Sequence, residues 1–278
     1  MPSILMHAIA AALYAGLAVY FWRTRASGQP IGTIGTPTRS LQAWQRVLLF
    51  AALLAHALSL RSEIFDGDNM RFSFSIALSV MLWLTIALYW LESFYARLEG
   101  LQMLGLPLAT VAALLPLAFT GTHELMNVDS PGFRLHILVA MLAYSLFTVA
   151  ALHALLMAAA ERALHHGRVP VLLADLPPLM TMESLLFRLI QVAFVLLTVT
   201  LVSGLLFSES LFGKAFVFNH KTVFALLSWA IFASLLIGRH LRGWRGKVAL
   251  RWTLSGFGAL LLAYIGSRFV LEVILGRA

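Results

Sequence analysis

Residues 134–160 read RLHILVAMLAYSLFTVAALHALLMAAA. After Arg134 no charged side chain appears in this stretch, and a helix needs about 20 mainly apolar residues to cross a bilayer. The run therefore reads as a membrane span. Its few polar groups, His136, Tyr144, Ser145, Thr148 and His153, must then find partners inside the protein. His136 sits at the very mouth of the run, where an imidazole could ligate a metal or simply face the interface.

Seven further stretches have the same character: 4–22, 43–61, 73–91, 101–119, 186–207, 221–240 and 249–272. The composition agrees, with 60% hydrophobic and 12% charged residues among 278. A water-soluble domain carries about 25% charged residues. The expectation is an all-α, polytopic bundle of eight transmembrane helices forming one domain over residues 1–278. The first run, Ile4 to Trp22, lacks a positive flank before it and is longer than the apolar core of a signal peptide, so it reads as a retained span.

The net charge is +8, but no basic, aromatic-interleaved soluble segment exists, so nucleic-acid binding is set aside. Membrane lipid is the expected partner of the basic loops. Thirteen of the twenty Lys and Arg residues fall on one side: Arg23, Arg25, Arg39, Arg46, Arg97, Arg162, Arg168, Arg188, Arg239, Arg242, Arg245, Lys247 and Arg251. The positive-inside rule makes that side cytoplasmic and puts both termini outside, periplasmic in a bacterial inner membrane. The absence of cysteine excludes disulfides and thiolate metal sites. Pro177–Pro178 end any helix in the fifth connection, with Thr181 and Glu183 at the start of the sixth span.

The spans contain almost no acidic groups, which argues against a proton pump or a carboxylate-based exchanger. Histidine remains. His56, His136, His153, His220 and His240 lie in spans or at their ends, whereas His7, His123, His165 and His166 read as solvated. His153 reads as a packed polar residue. Two imidazoles on opposite faces of a porphyrin make a bis-histidine haem. Zinc would need three or four histidines at one depth.

Three segments in order give the clearest likeness. They are HILVAMLAYSLF from His136, LPPLMTMESLLFRLIQVAFVLLTVTLVSGLLF from Leu176, and NHKTVFALLSWAIFASLLIGRHLRGWRGK from Asn219 to Lys247. Together they resemble the cytochrome c assembly protein family, with its CcsA, CcmC and HemX-type members, nearest to the YpjD-like inner-membrane subgroup. The resemblance implies a non-enzymatic membrane protein that handles haem b, with other membrane or cytochrome-assembly proteins as partners. By it His56 and His240 match a pair of intramembrane ligands, His136 matches the first of an outer pair, and Trp244 with Arg245 mark the connection after His240. Arg134, Lys214 or Lys221 could pair with haem propionates.

The chain departs from the haem-presenting members in two places. Leu211 to Phe224, LFGKAFVFNHKTVF, lacks their Trp-rich WGxxWxWDxxE loop. The last segment, YIGSRFVLEVILGRA, lacks the second outer histidine. Depth along the spans also sets His56 toward the outside and His240 at the inside, more than about 15 Å apart at 1.5 Å per residue. By depth His56 pairs better with His136, with His220 nearby. Two other functions fit the residues: a transporter or metal-efflux component, and a scaffold that docks a partner through Arg242, Trp244 and Arg245.

Overall fold

The computed structural model describes residues 2–26, 41–66, 69–95, 100–119, 130–166, 170, 173, 176–212 and 220–275. His123 and Lys214 lie outside them, as do Arg39, Arg97 and Arg168. Eight helices are long and apolar enough to span a membrane. They are α1 (Pro2–Ala26), α2 (Ala43–Ile64), α3 (Phe74–Glu92), α4 (Leu101–Ala118), α5 (Pro131–His165), α6 (Leu179–Phe212), α7 (His220–Arg242) and α8 (Gly246–Leu261). The last runs on through π-helical turns at Leu262–Gly266 and Val270–Ile274, separated by an α-turn at Ser267–Phe269. The all-α membrane bundle expected from hydropathy is the observed architecture. Helices suit this solvent because hydrocarbon offers no partner to an unpaired peptide group.

Several helices extend beyond their apolar cores. α5 reaches from Pro131 to His165, and α6 begins at Leu179, seven residues before the expected span. Arg188 therefore lies inside α6, not in the connection before it, and its side chain is exposed. A two-residue antiparallel hairpin, Phe65–Asp66 against Asn69–Met70, joins α2 to α3 and was not foreseen. It is too short to leave any periodic sequence signal.

The helices pack in two groups. α1 lies against α2 and α4, and α3 against α2 and α4; α5 lies against α6 and α8, and α7 against α6 and α8. α3 and α5 join the groups. At that seam Ser145 Oγ donates to Met141 O at 2.6 Å and approaches Met81 O at 3.1 Å, while Thr85 Oγ1 donates to Met81 O at 2.8 Å. Hydroxyls satisfied by backbone carbonyls let the two helices approach without a buried orphan. The outward faces are apolar: Val47, Val111, Val195 and Leu206 are among the most exposed large side chains. Such a surface suits lipid rather than water.

The end of the bundle that carries α6's start and the α7–α8 turn is fastened by one carboxylate. Glu183 Oε1 accepts from Arg239 Nη1 at 2.8 Å and Arg245 Nε at 2.8 Å, and Oε2 accepts from the Gly246 N–H at 3.2 Å. Glu183 is 8% exposed. The turn itself needs Gly243 and Gly246, both at positive φ (65° and 52°), where a side chain would be strained. Trp244 folds back over Gly238, where an added Cβ would collide with its ring, and its N–H donates to Gly238 O at 3.2 Å.

Two outcomes follow. Glu183→Ala should lower stability in detergent by about 1–3 kcal/mol, the cost of charged hydrogen bonds whose cationic partners keep some access to solvent; thermal unfolding measures it. For orientation, alkaline phosphatase fused after residue 278 should be active, and a fusion truncated after residue 166 inactive.

Candidate functional site

His56 is fully buried in α2, eight residues before the helix ends and hence about 12 Å along its axis from that end. Its Nε2 shares a 2.8 Å hydrogen bond with Ser79 Oγ of α3, and the Tyr14 ring of α1 meets it edge-on at 5.7 Å. Its Nδ1 is buried and has no hydrogen-bond partner among the described residues; the same holds for the Tyr14 hydroxyl and His7 Nε2.

His7 corrects the sequence reading. Expected to be solvated, it is fully buried. Its Nδ1–H donates to Ala113 O of α4 at 2.6 Å, and its Nε2 lies 3.6 Å from Glu63 Oε1 of α2. The signal was present in the spacing. His7, Ala10, Ala11, Tyr14, Leu17, Ala18 and Phe21 form one i, i+3, i+4 stripe, and all of them are buried. The small residues of the stripe let neighbouring helices close over the imidazole.

His136 lies half-buried near the start of α5, facing α6. Its Nδ1 is 2.8 Å from Ser203 Oγ. That hydroxyl has one proton and also lies within reach of two carbonyl acceptors, Val199 O at 2.7 Å and Thr200 O at 3.1 Å. With that proton on a carbonyl, Ser203 Oγ accepts from the Nδ1–H tautomer of His136, which carries its lone pair on Nε2. Phe133 lies nearly parallel to the imidazole, 6.4 Å between centroids and 18° between planes. A Cβ at Gly204 would stand 3.5 Å from His136 Cε1, an ordinary contact.

The same end of the bundle collects other polar groups. Ile137, next to His136, and Tyr264 pack on one small cluster of Phe72, Ile76, Ala77 and Met141. Lys221, next to His220, lies 5.7 Å from the Tyr264 ring centroid. One turn on, Arg268 pairs with Glu272 at 3.9 Å, and Glu272 Oε2 accepts the Phe74 N–H that opens α3. Here α8 turns π-helical. The stretch in which the sequence lacks a second outer histidine thus carries an ion pair and a wound-out backbone, a form often found at functional sites. His220 and Arg134 are exposed at this end.

His240 is exposed at the opposite end of the bundle, two residues before α7 stops. His153 donates from Nε2 to Met182 O at 3.0 Å, as a packed polar residue should. Among the described residues no hydrogen bond or ring contact joins His56, His136, His220 and His240 to one another. Nor do three His, Asp or Glu side chains there converge on a common metal-ion position.

The sequence profile described as "Cytochrome C assembly protein" matches residues 44–275. The chain belongs to the cytochrome c assembly protein family. Relatives agree with that membership. The chain is 30% identical over 245 residues to the "Inner membrane protein YpjD" of Escherichia coli (strain K12), covering 83% of this chain and 89% of that protein. It is 34% identical over 209 residues to an uncharacterized 28.8 kDa protein of Azospirillum brasilense, covering 72% and 76%. A shorter stretch of 85 residues is 35% identical to the "Cytochrome c biogenesis protein CcsA" of Prochlorococcus marinus (strain NATL1A), covering 31% and 27%. No solved structure matches the chain. His56, His136, His220 and His240 lie within the family match, whereas His7 and Tyr14 precede it.

Family membership makes haem the group against which these residues are to be tested. His136 fits an axial ligand: Ser203 Oγ holds one ring nitrogen, Nδ1, as outer partners do when they orient ligating histidines. His56 offers a buried nitrogen without a partner, although its other nitrogen is held by Ser79. Trp244 and Arg245, the marks of the family-like connection, are engaged internally, against Trp252 and Glu183.

The unpartnered Tyr14 hydroxyl gives a direct check on the buried group. Tyr14→Phe should leave thermal stability unchanged or raise it, since a buried hydroxyl without a partner costs energy. A clear loss of stability would mean that the hydroxyl binds something.

Proposed function

We propose that this inner-membrane protein holds haem b for cytochrome c assembly or haem handling, with His136 Nε2 as an axial ligand at the outer end of α5 and α6. The observation that carries the proposal is the 2.8 Å contact of His136 Nδ1 with Ser203 Oγ, a hydroxyl that also lies 2.7 Å from Val199 O, which supports a proton on Nδ1. A histidine so arranged is a competent iron ligand without any change of protonation. The lipid-exposed wall beside it, Leu135, Leu138, Val202 and Leu206, suits the edge of a porphyrin. When bound, haem would supply the redox-active iron; the protein supplies ligation, orientation and control of exposure.

The remaining candidate residues take graded places in this reading. His220 and Lys221 open α7 beside the same layer, so His220 is the candidate for the opposite face of the iron and Lys221 for a propionate, together with Arg134. His56 is the candidate for a second, intramembrane position, where its buried Nδ1 would gain a partner. His240 would serve only a site at the other end of the bundle. The relatives named as CcsA support the cytochrome c role over a transporter or metal-efflux function. A docking scaffold built on Trp244 and Arg245 has less in its favour, because both are occupied within the fold.

Purified protein from haem-replete cells should show a Soret band. His136→Ala should remove most of it. Ser203→Ala should keep the band but weaken haem retention about 10-fold or more, because the ligand loses its orienting partner. A wild-type protein with no band, even after reconstitution with haem, would overturn the reading.

A further inference from the structure

The charged end of the bundle carries a second feature that haem handling does not use. Between the last turns of α5 and the first turns of α8 lies an open recess of about 470 Å³. α5 contributes Ala158, Glu161, Arg162 and His165; α8 contributes Lys247, Leu250, Arg251 and Leu254. Both sets follow the spacing i, i+3, i+4, i+7, so each helix turns one continuous face toward the recess. His166 closes its rim.

The two faces are graded in the same direction. α5 ends at this side of the membrane and α8 begins there, so the helices are antiparallel. Ala158 on one and Leu254 on the other are the deepest lining residues, and Leu250 is buried between them and the rim. The polar residues, Arg162, His165, Lys247 and Arg251, stand toward the helix ends. The walls are thus apolar toward the hydrocarbon and cationic at the interface.

Among the described residues the rim holds three permanent cations, Arg162, Lys247 and Arg251, against one carboxylate, Glu161. Glu161 is already used: it lies 4.0 Å from Lys247 Nζ and 3.8 Å from His165 Nε2. Among the described residues the guanidinium groups of Arg162 and Arg251 have no acidic partner. Two unpaired guanidinium groups above an apolar wall match a phosphate joined to acyl chains.

We propose that this recess binds the phosphate headgroup of an anionic membrane phospholipid, with its acyl chains along Ala158, Leu250 and Leu254. Arg162 and Arg251 hold the phosphate oxygens by charge-assisted bonds. Lys247 stays positioned by Glu161 at the rim. Free phosphate shares the headgroup chemistry but has nothing to place on the apolar wall. The site is separate from the outer histidine layer, so it stands or falls independently of haem.

Native mass spectrometry of the full chain released from detergent tests it. The probes are phosphatidylglycerol, phosphatidylcholine and inorganic phosphate, each offered alone. The wild type should retain phosphatidylglycerol at least about 10-fold more than phosphatidylcholine and should retain no inorganic phosphate. The double variant Arg162→Gln/Arg251→Gln should lose that preference, while Arg23→Gln, at the same side but outside the recess, should keep it. Equal retention of the two lipids by the wild type would overturn the proposal without recourse to any variant. Retention of inorganic phosphate in place of the lipid would overturn it in favour of a soluble anion. A double variant that elutes as a monodisperse peak and still prefers phosphatidylglycerol would place the lipid elsewhere and overturn it as well.

Discussion

Glu183 sets the geometry on which the second half of the bundle depends. A single carboxylate, almost out of reach of solvent, takes hydrogen bonds from Arg239, Arg245 and the backbone of Gly246. Those donors come from the end of α7, the turn, and the start of α8. Helices that pass through lipid gain nothing from hiding apolar faces from one another, so their register must come from packing and polar contacts. Here the contact closes the α7–α8 hairpin at one end, and the pairing of the helices then fixes where Lys221 and Tyr264 meet at the other. Between the ends that pairing is carried by Phe232 against Gly256 and by Ser228 Oγ, which donates to Gly256 O at 2.9 Å.

The polar groups of the membrane interior divide by what they are given. Ser145 and His153 meet backbone carbonyls of neighbouring helices, Thr85 meets one of its own helix, and all three are satisfied. They need no ligand. Among the described residues, His56, His7 and Tyr14 each retain one buried atom without a hydrogen-bond partner. His136 differs from both: its Nδ1 meets a hydroxyl, Ser203 Oγ, at a half-buried position near the end of the bundle. His153, by contrast, is held against Met182 O within the packed interior.

The eight spans were legible because hydrocarbon imposes a length and an apolar composition on every crossing segment, and the long run after Arg134 shows both. The helix ends were less so. Leu179 to Leu185 and Pro131 to Phe133 are helical beyond the apolar core because interfacial turns need no unbroken hydropathy. His7 was misjudged since its nearness to the chain start suggested exposure, although its stripe with Ala10, Ala11 and Tyr14 pointed inward. Glu183 could be read as a helix-start residue, but its partners lie 56 and more positions away. The partner of His136 Nδ1 was beyond the sequence altogether, because Ser203 arrives from α6, 67 positions along the chain.

If His136 is the iron ligand, the defect left by its removal has the shape and chemistry of an imidazole. The most direct measurement is therefore the absorption spectrum of purified His136→Gly protein, reconstituted with haem, with and without added imidazole. The account predicts that the Soret band is lost in the variant and returns with imidazole, and that His56→Gly keeps most of it unaided. A His136→Gly protein with the full wild-type band, alongside a His56→Gly protein without one, would contradict it.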